Sequence, residues 1–441
     1  MKRIDWNTLD TAGRDGALAR PQPIRDGALI ASVRGIIDDV RRDGDEALRR
    51  LTSRLDGCDL DAFEVTDDEF AAAQARVPAA VQAAMAAAAA RVETFHQAQM
   101  PSRLRVQTAP GVVCESLLRP IQRVGLYAPG GSAPLPSTVW MLAVPARIAG
   151  CPEVVLATPP RGDGTVDPLI LVAARLCGVQ RVLKLGGAQA IAAMAYGSDS
   201  VPRCDKLFGP GNAWVTQAKL EVAGDPAGAA IDLPAGPSEV LVIADDSADP
   251  DIVGADLLAQ AEHGTDSQVV LVSPDAALLD AVERRTREQS VRLPRAAIAG
   301  AALAHARLLL VRDLVQAAEV SNRYAPEHLI IQTREPRRLL PRIVHAGSIF
   351  LGPWSPETVG DYCAGPNHVL PTLGWARSCG GVGVDSFLRR ISVQELSADG
   401  LRGIGPEAAL LARAEQLEAH ARAVDLRLAR LSAARGDGAA A

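Results

Sequence analysis

Gln260 and His263 offer two metal-ligating side chains within the segment Gln260-Ala261-Glu262-His263-Gly264. The residues before Gln260 are typical of a helix, and Gly264 suits a C-terminal helix cap. Positions i and i+3 of a helix lie on one face, so the side-chain carbonyl and the imidazole point the same way at its last turn. They form half of a metal site, for which Asp361 is a candidate third ligand. The alternative is a pair that only hydrogen-bonds the last carbonyls of the helix.

Two later segments carry further groups with possible chemistry. Glu327 and His328 are adjacent in Ala325-Pro326-Glu327-His328-Leu329, and His368 closes the segment Gly360–His368. An imidazole and a carboxylate side by side suit proton transfer, because both can have a pKa near the working pH in a buried pocket. Neighbours in a strand point to opposite faces unless the backbone bends, and Pro326 permits a bend. The alternative is an ordinary solvated pair.

Composition limits the classes of protein. The chain has 441 residues, 48% of them hydrophobic and 22% charged, which suits two or three globular domains. A net charge of −6 makes a nucleic-acid partner an unfavourable interpretation. The start has no apolar signal region, and the alanine-rich run at 79–90 is too short and too weakly apolar to span a membrane. We therefore expect a cytoplasmic protein without a membrane partner.

The seven cysteines are scattered and contain no CxxC pair. This pattern argues against a disulfide framework and against a zinc site built from thiolates. Cys151 could suggest a thiol nucleophile, but we interpret it as a buried structural thiol.

Helical spacing runs from Asp26 to Leu51 and again from Asp67 to Gln97. Strand–turn–helix units follow, which indicate parallel sheets with helices on their faces. The predicted strands are 123–127, 154–157, 182–185 and 206–208, then 240–243, 269–272, 308–311, 329–331 and 348–351.

The predicted fold class is α/β, with two incomplete Rossmann-like parallel-sheet domains and small helical extensions at both ends. The break between the two series of strands falls at 232–237. The expected domains are an N-terminal extension (1–25), a first α/β domain with the metal and catalytic residues (26–122 with 238–380), a second α/β domain on the nucleotide side (123–237), a C-terminal helical arm (381–432) and a disordered tail (433–441).

Three turns place small residues between a strand and a helix: Pro129-Gly130-Gly131, Gly186-Gly187-Ala188 and Gly209-Pro210-Gly211-Asn212. Backbone amides at helix starts favour anions such as a pyrophosphate. No GxGxxG fingerprint follows a strand, and such turns are glycine-rich in many proteins, so cofactor binding remains one of two interpretations here.

Taken together, these segments resemble the histidinol dehydrogenase family from about Ala28 to Leu428. Seven segments in the family's order carry the resemblance: Gly125–Pro134, Gly187–Ala190, Phe208–Asn212, Pro234–Glu239, Gln260–Gly264, Ala325–Leu329 and Gly360–Pro371.

The resemblance implies oxidation of L-histidinol through L-histidinaldehyde to L-histidine, the last step of histidine biosynthesis. Four electrons leave the substrate, so two NAD and one water are consumed. The family holds one zinc ion per subunit, here by Gln260, His263, Asp361 and His420. The last ligand comes from the partner subunit, so a homodimer with an exchanged C-terminal arm is expected. Glu415 and His420 are both placed on the C-terminal helix, about 140° apart around its axis.

Roles follow from the same resemblance. His328 corresponds to the base that takes the alcohol proton, and Glu327 to the group that activates water. NAD contacts are carried over to Tyr127, Gln189 and Asn212. Substrate contacts are carried over to Ser238, Gln260, His263, His328, Asp361, His368, Glu415 and His420.

Three other functions fit parts of the same pattern. A zinc- and NAD-dependent relative that oxidises another small alcohol would keep the zinc ligands and change Ser238, His368 or Glu415. A zinc hydrolase using Glu327 as base would not depend on NAD. A non-catalytic dimeric scaffold would lose metal ligands, and this chain carries all four.

Overall fold

A computed structural model describes residues 1–21, 26–130, 134–234 and 236–436. Its strands are β1 (Lys2–Asp5), β2 (Leu104–Ala109), β3 (Val112–Pro120), β4 (Arg123–Tyr127), β5 (Glu153–Thr158), β6 (Arg181–Lys184), β7 (Lys206–Phe208), β8 (Ala230–Ile231), β9 (Glu239–Ala244), β10 (Gln268–Ser273), β11 (Arg307–Leu310), β12 (His328–Gln332), β13 (Ser348–Leu351) and β14 (Leu388–Leu396). Its helices are α1 (Thr11–Ala17), α2 (Gly27–Asp43), α3 (Asp45–Asp56), α4 (Asp67–Arg76), α5 (Ala79–Ala98), α6 (Pro136–Ala149), α7 (Pro168–Leu176), α8 (Gly187–Tyr196), α9 (Ala213–Ala223), α10 (Pro250–Ala261), α11 (Ala276–Ser290), α12 (Ala296–Ala304), α13 (Leu314–Tyr324), α14 (Glu357–Tyr362), α15 (Ala398–Ala414) and α16 (Glu418–Gly436).

The chain groups into two compact units. The first comprises Met1–Gln99 with Ile121–Phe387, and it contains both parallel sheets. The six-stranded sheet has the order β1-β11-β10-β9-β12-β13 and the five-stranded sheet has the order β6-β5-β4-β7-β8. The second unit comprises Met100–Pro120 with Leu388–Ala441. Its three-stranded sheet, β14-β3-β2, is antiparallel.

The parallel sheets are buried on both faces. Along β9, Val240 and Val242 pack into one hydrophobic core, whereas Leu241 and Ile243 pack into another on the opposite face. Helices cover both faces of such a sheet, which explains why its strands are continuous apolar runs without alternation. The chain passes from β9 to β10 and β11 and then returns to β12 on the other side of β9. The strand order therefore reverses between β9 and β12.

The predicted parallel strands are all present, with ends that differ by at most one residue. The two long helical predictions were wrong in one respect, because each is interrupted. Gly44, with φ of 52°, separates α2 from α3. Val77 and Pro78 separate α4 from α5, since proline cannot continue a preceding helix.

The ends of the chain differ from the expected extensions. Lys2–Asp5 pairs with β11 as the edge strand of the six-stranded sheet. The segment expected to be a helical arm also contains β14, which pairs with β3 in an antiparallel ladder. Part of the expected tail lies in α16, and 437–441 lie outside the described residues. Among the described residues, no helix is long and apolar enough to cross a membrane.

Candidate active site

A cleft of 810 Å³ in the first unit joins the edges of the two parallel sheets. One wall comes from the carboxyl edge of the five-stranded sheet, where Tyr127, Gln189 and Asn212 line the cleft. Ser238, which precedes β9, and His263, which follows α10, line the other wall. The fold therefore brings the three predicted NAD contacts and two of the predicted substrate contacts to one cavity of the size of a ligand site.

The first wall is built from turns that lead into helices. The hydroxyl of Tyr127, the last residue of β4, accepts the backbone N–H of Gly187 at 3.0 Å, where α8 begins. Asn212 caps α9, and its side chain accepts the N–H groups of Trp214 and Val215, each at 3.1 Å. Two helix N-termini thus face the cleft, which favours an anionic ligand. In the remaining predicted turn, Pro129-Gly130-Gly131, Gly131 lies outside the described residues.

Gln189 is held by a carboxyl group that the sequence analysis missed. Its amide nitrogen donates to Asp56 at 3.1 Å, and Asp56 also lines the cleft. Burial raises the pKa of Asp56 to about 6. Asp56 is the last residue of α3 and lies outside the seven segments that carry the family resemblance. Only the tertiary structure brings it to the wall of the cleft that contains Gln189.

Glu327 and His328 lie where β12 begins, at the amino edge of the six-stranded sheet. Ala325 adopts a left-handed conformation, with φ of 54°. The backbone therefore bends just before Glu327 and His328, as their use in one site requires. The Glu327 carboxylate accepts the backbone N–H of Glu239 at 2.8 Å. Nδ1 of His328 lies 3.1 Å from the carbonyl oxygen of the same residue. Both side chains are buried. The backbone of Glu239 therefore holds both predicted catalytic residues by hydrogen bonds.

The hydrogen bonds define how His328 can act. A carbonyl only accepts, so Nδ1 is assigned the ring proton and Nε2 the lone pair. Nε2 is buried without a hydrogen-bond partner among the described residues, and it lies 3.7 Å from the carboxylate of Asp361. Burial lowers the pKa of His328 to about 3, which keeps the ring neutral. Burial also raises the pKa of Glu327 well above its usual range.

Gln260 and His263 do not share a helix as predicted. Helix α10 ends at Ala261, and the N–H of His263 instead bonds the carbonyl of Gln260 at 3.2 Å in a tight turn. Helix ends often tighten in this way, and sequence periodicity does not reveal where. Gln260 is fully buried, whereas His263 faces the cleft.

His263, Asp361 and a residue not predicted from the sequence, Glu357, form a cluster. One ligand atom from each lies within 4.8 Å of the others. Burial raises the pKa of Asp361 to about 7, and burial together with Asp361 raises that of Glu357 well above its usual range. A nearby positive charge would lower the pKa of a carboxyl, and no described side chain supplies one to Asp361 or Glu357. Nitrogen and oxygen donors in this arrangement fit a zinc ion.

Glu357 also contacts Gln260. With its nitrogen on this side, the Gln260 amide donates to Glu357 at 2.8 Å and to the Glu239 carbonyl at 3.2 Å, and the nitrogen also lies 3.1 Å from Nδ1 of His328. The two protons of the amide go to the two oxygens, so Nδ1 of His328 keeps its own proton for the Glu239 carbonyl. Glu357 precedes Asp361 by four residues on α14, so the two carboxyls share a helix face. That spacing was the signal in the sequence that could have identified Glu357.

The remaining substrate-contact candidates lie in two places. His368, whose Nε2 is buried without a partner among the described residues, lines a second cavity of 330 Å³ with His328 and Asp361. Burial lowers the pKa of His368 to about 4. Glu415 and His420 belong to the second unit, where both are exposed.

The expectation that Glu415 and His420 share one helix was wrong. Helix α15 ends at Ala414 and α16 begins at Glu418. Gln416, between them, adopts φ of 62°, which terminates the first helix. His420 therefore lies in the first turn of α16, and the angle calculated for a continuous helix does not apply.

A nucleotide-sized cleft has two helix N-termini on one wall, and the buried Glu327–His328 pair lies beside a cluster of side chains that could hold a metal ion. This combination is typical of an NAD-linked oxidoreductase. Comparison with known proteins specifies the family. The family model described as histidinol dehydrogenase matches residues 20–428. The chain belongs to the histidinol dehydrogenase family.

Individual relatives agree over almost the whole length. A histidinol dehydrogenase of Xanthomonas axonopodis pv. citri is 59% identical over 428 residues, which is 97% of this chain and 99% of the relative. One from Vibrio vulnificus is 51% identical over 98% of this chain and 100% of the relative. The crystal structure of histidinol dehydrogenase from Elizabethkingia anophelis is 42% identical and superposes with a TM-score of 0.94, covering 98% of this chain and 99% of that one. The similarity therefore includes the fold of the entire chain.

Proposed function

We propose that this protein oxidises L-histidinol through L-histidinaldehyde to L-histidine, the last step of histidine biosynthesis. The observation that carries the proposal is that Glu327 and His328 are both held by the backbone of Glu239 and lie beside the cluster that could hold a metal ion. In the balanced reaction, one alcohol, two NAD⁺ and one water give one carboxylate, two NADH and three protons.

His328 and Glu327 act in different halves of this reaction. In the first half, Nε2 of His328 takes the hydroxyl proton while the carbon loses a hydride, which gives the aldehyde. In the second half, the Glu327 carboxylate takes a proton from the water that adds to the aldehyde. The hydrate then loses the second hydride. Burial supports both roles, because it keeps His328 neutral and makes the ionised Glu327 a stronger base than a solvated carboxylate.

Gln260, His263 and Asp361 would hold one zinc ion in each subunit, and His420 of a partner subunit would complete the set in a homodimer. Bound zinc would supply a Lewis acid that fixes the substrate's amine and imidazole, and bound NAD would accept a hydride in each half. Glu357 orients the Gln260 amide by accepting from its nitrogen, which would leave the amide oxygen for the metal. Ser238, His368 and Glu415 would contact the substrate.

Tyr127, Gln189 and Asn212 would bind NAD at the two helix N-termini. Seven free cysteines fit a reducing compartment, and we propose a cytoplasmic location.

The stoichiometry of NADH tests the function. With limiting L-histidinol, we expect about two NADH per substrate by absorbance, from the electron balance. A chelator should abolish this yield, added zinc should restore it, and elemental analysis should find about one zinc per chain. One NADH per substrate would contradict the proposed second half, and none from folded, zinc-loaded protein would contradict the substrate.

Two substitutions of Asn212 separate its structural role from its contact with NAD. Asn212→Asp keeps a capping oxygen but adds a negative charge where a diphosphate would lie, so we expect KM for NAD to rise about tenfold with little change in stability. Asn212→Ala removes the cap and should lower the unfolding free energy by about 1 kcal/mol. Steady-state kinetics and denaturant unfolding measure the two effects. An unchanged KM for NAD in the aspartate variant would remove Asn212 from the NAD contacts.

A further inference from the structure

The backbone of Glu239 holds both proposed catalytic side chains. Its N–H donates to the Glu327 carboxylate at 2.8 Å, and its carbonyl oxygen accepts from Nδ1 of His328 at 3.1 Å. A shift of the backbone at Glu239 would therefore displace the base of each half-reaction at once. Glu239 is the first residue of β9, where the ladder with β10 begins.

The side chain of Glu239 fixes the backbone at this residue through a buried ion pair. Its carboxylate, 2% exposed, accepts Nε and Nη2 of Arg20 at 2.5 and 2.8 Å. The N–H of Leu373 donates to the same carboxylate at 2.9 Å. A bidentate ion pair of this kind fixes the orientation of the carboxylate as well as its distance from the guanidinium.

Arg20 also holds the segment that carries the catalytic pair. Its Nη2 donates to the carbonyl of Tyr324 at 3.1 Å, and the guanidinium carbon lies 4.2 Å from the centre of the Tyr324 ring. Tyr324 ends α13, three residues before Glu327. One guanidinium therefore joins the start of β9 to the segment that leads into β12.

Arg20 comes from the N-terminal segment after α1 and does not line either cavity of the site. It can act on the reaction only through the groups it holds. Removing one partner of a buried ion pair leaves an unpaired charge, which would move Glu239 towards water or another donor.

We propose that Arg20 is a positioning residue for both half-reactions, acting through Glu239 on Glu327 and His328. The inference rests on the proposed function for the identity of the reaction. It assigns to the N-terminal segment a role in catalysis that neither the sequence motifs nor the cavity walls indicated.

Arg20→Met should lower kcat about 100-fold with L-histidinol and by a similar factor with L-histidinaldehyde, because a displacement of about 1 Å costs that much. KM for both substrates and the zinc content should stay within about twofold, since Arg20 touches neither. Arg20→Lys should retain more activity, with a loss of about tenfold, because the ammonium group keeps one of the two charged hydrogen bonds to Glu239. The double variant Arg20→Met with Glu239→Gln should be no worse than Arg20→Met alone, because it leaves no unpaired charge.

Asp15→Asn is the matched control. Asp15 pairs with Arg323 at 2.6 Å on the surface and ties the same N-terminal segment to α13 without reaching Glu239. This variant should keep wild-type kcat. In ¹H NMR of histidine-labelled protein, the hydrogen-bonded Nδ1 proton of His328, assigned by its loss in His328→Asn, should move or vanish in Arg20→Met and persist in Asp15→Asn.

The outcomes are distinct. Wild-type protein and Asp15→Asn that both fail to oxidise histidinol would overturn the proposed function, whereas the NMR comparison would still report on Arg20. A folded Arg20→Met variant with unchanged kcat and an unchanged His328 signal would overturn the inference. A loss of kcat matched by zinc loss, by a rise in KM or by an equal loss in Asp15→Asn would also overturn it, since these are the signs of a purely structural role.

Discussion

Glu327→Gln and His328→Asn should divide the reaction into its two halves. We expect Glu327→Gln to slow oxidation of L-histidinaldehyde about 10²- to 10⁴-fold, the usual range for loss of a general base, while oxidation of L-histidinol to the aldehyde changes far less. The NADH yield per histidinol should then fall from two towards one. His328→Asn should slow the alcohol step by a similar factor. Single-turnover measurements with each substrate give the two rates separately.

The geometry makes these substitutions well matched. A glutamine oxygen at position 327 can still accept the N–H of Glu239, and an asparagine nitrogen at 328 can still donate to its carbonyl. Packing is therefore retained and only the proton-accepting group is lost. Equal losses in both half-reactions for both variants would contradict the division of roles. Zinc content serves as the control, because neither residue belongs to the proposed ligand set.

The sequence predicted the strands better than the helix boundaries. Apolar runs such as Val269–Val272 identify a strand that is buried on both faces without reference to the rest of the chain. The break at Gly44 has a local signal that the helical periodicity hid, since apolar residues continue at helical spacing across it. A single glycine within such a pattern is usually tolerated, so periodicity alone does not distinguish one bent helix from two.

The antiparallel sheet of the second unit was missed for a different reason. Its pairing joins Leu388–Leu396 to Val112–Pro120, and these strands are far apart along the chain. Most residues of β14 and β2 are exposed, so burial imposes little alternation on them. Where long-range pairing sets the register and neither face is buried, apolar residues need not alternate along the strand, so the sequence of β14 or β2 shows no strand pattern.

In the site, the sequence identified side chains with obvious chemistry and missed the groups that hold them. Glu239 lies within one of the motifs, but its contacts with Glu327 and His328 use a backbone N–H and a carbonyl, which every residue type except proline has. Arg20 is separated from it by more than two hundred positions. Asp56 and Glu357 are carboxyls among many, and only the tertiary structure places them against Gln189 and Gln260.

The location of the cleft also follows from tertiary structure. Ligands of open α/β sheets usually bind at the carboxyl edge, and the five-stranded sheet follows this rule with Tyr127 and the start of α8. The six-stranded sheet does not, because Glu239 and His328 each begin a strand at its amino edge. The carboxyl edge of one sheet thus faces the amino edge of the other across the cleft. In the proposed function, nucleotide binding and proton transfer would be divided between two sheets, each of which was recognisable as parallel from the sequence.

Mixing two inactive variants should test whether the C-terminal arm is exchanged. Asp361→Asn and His420→Ala should each remove a zinc ligand and most of the activity. If His420 acts on the partner's site, a dimer of one variant subunit with the other contains one fully damaged site and one intact site. Random reassortment after mild unfolding and refolding should then restore about a quarter of the wild-type sites, because half of the dimers are mixed and each has one active site of two. NADH formation and zinc content should recover in the same proportion.

A His420 that acts on its own subunit predicts the opposite result, because each mixed dimer would then carry one damaged ligand in each site and no activity would return. Two variants from the same side of the proposed site, Asp361→Asn and His263→Asn, provide the control. Both ligands come from the first unit, so no mixed dimer regains an intact site under either arrangement. Recovery in the Asp361 and His420 mixture, together with no recovery in the control, would assign His420 to the partner's zinc. The exposure of His420 and Glu415 in the single chain would then follow, because the zinc and the substrate that they contact lie in the site of the other subunit.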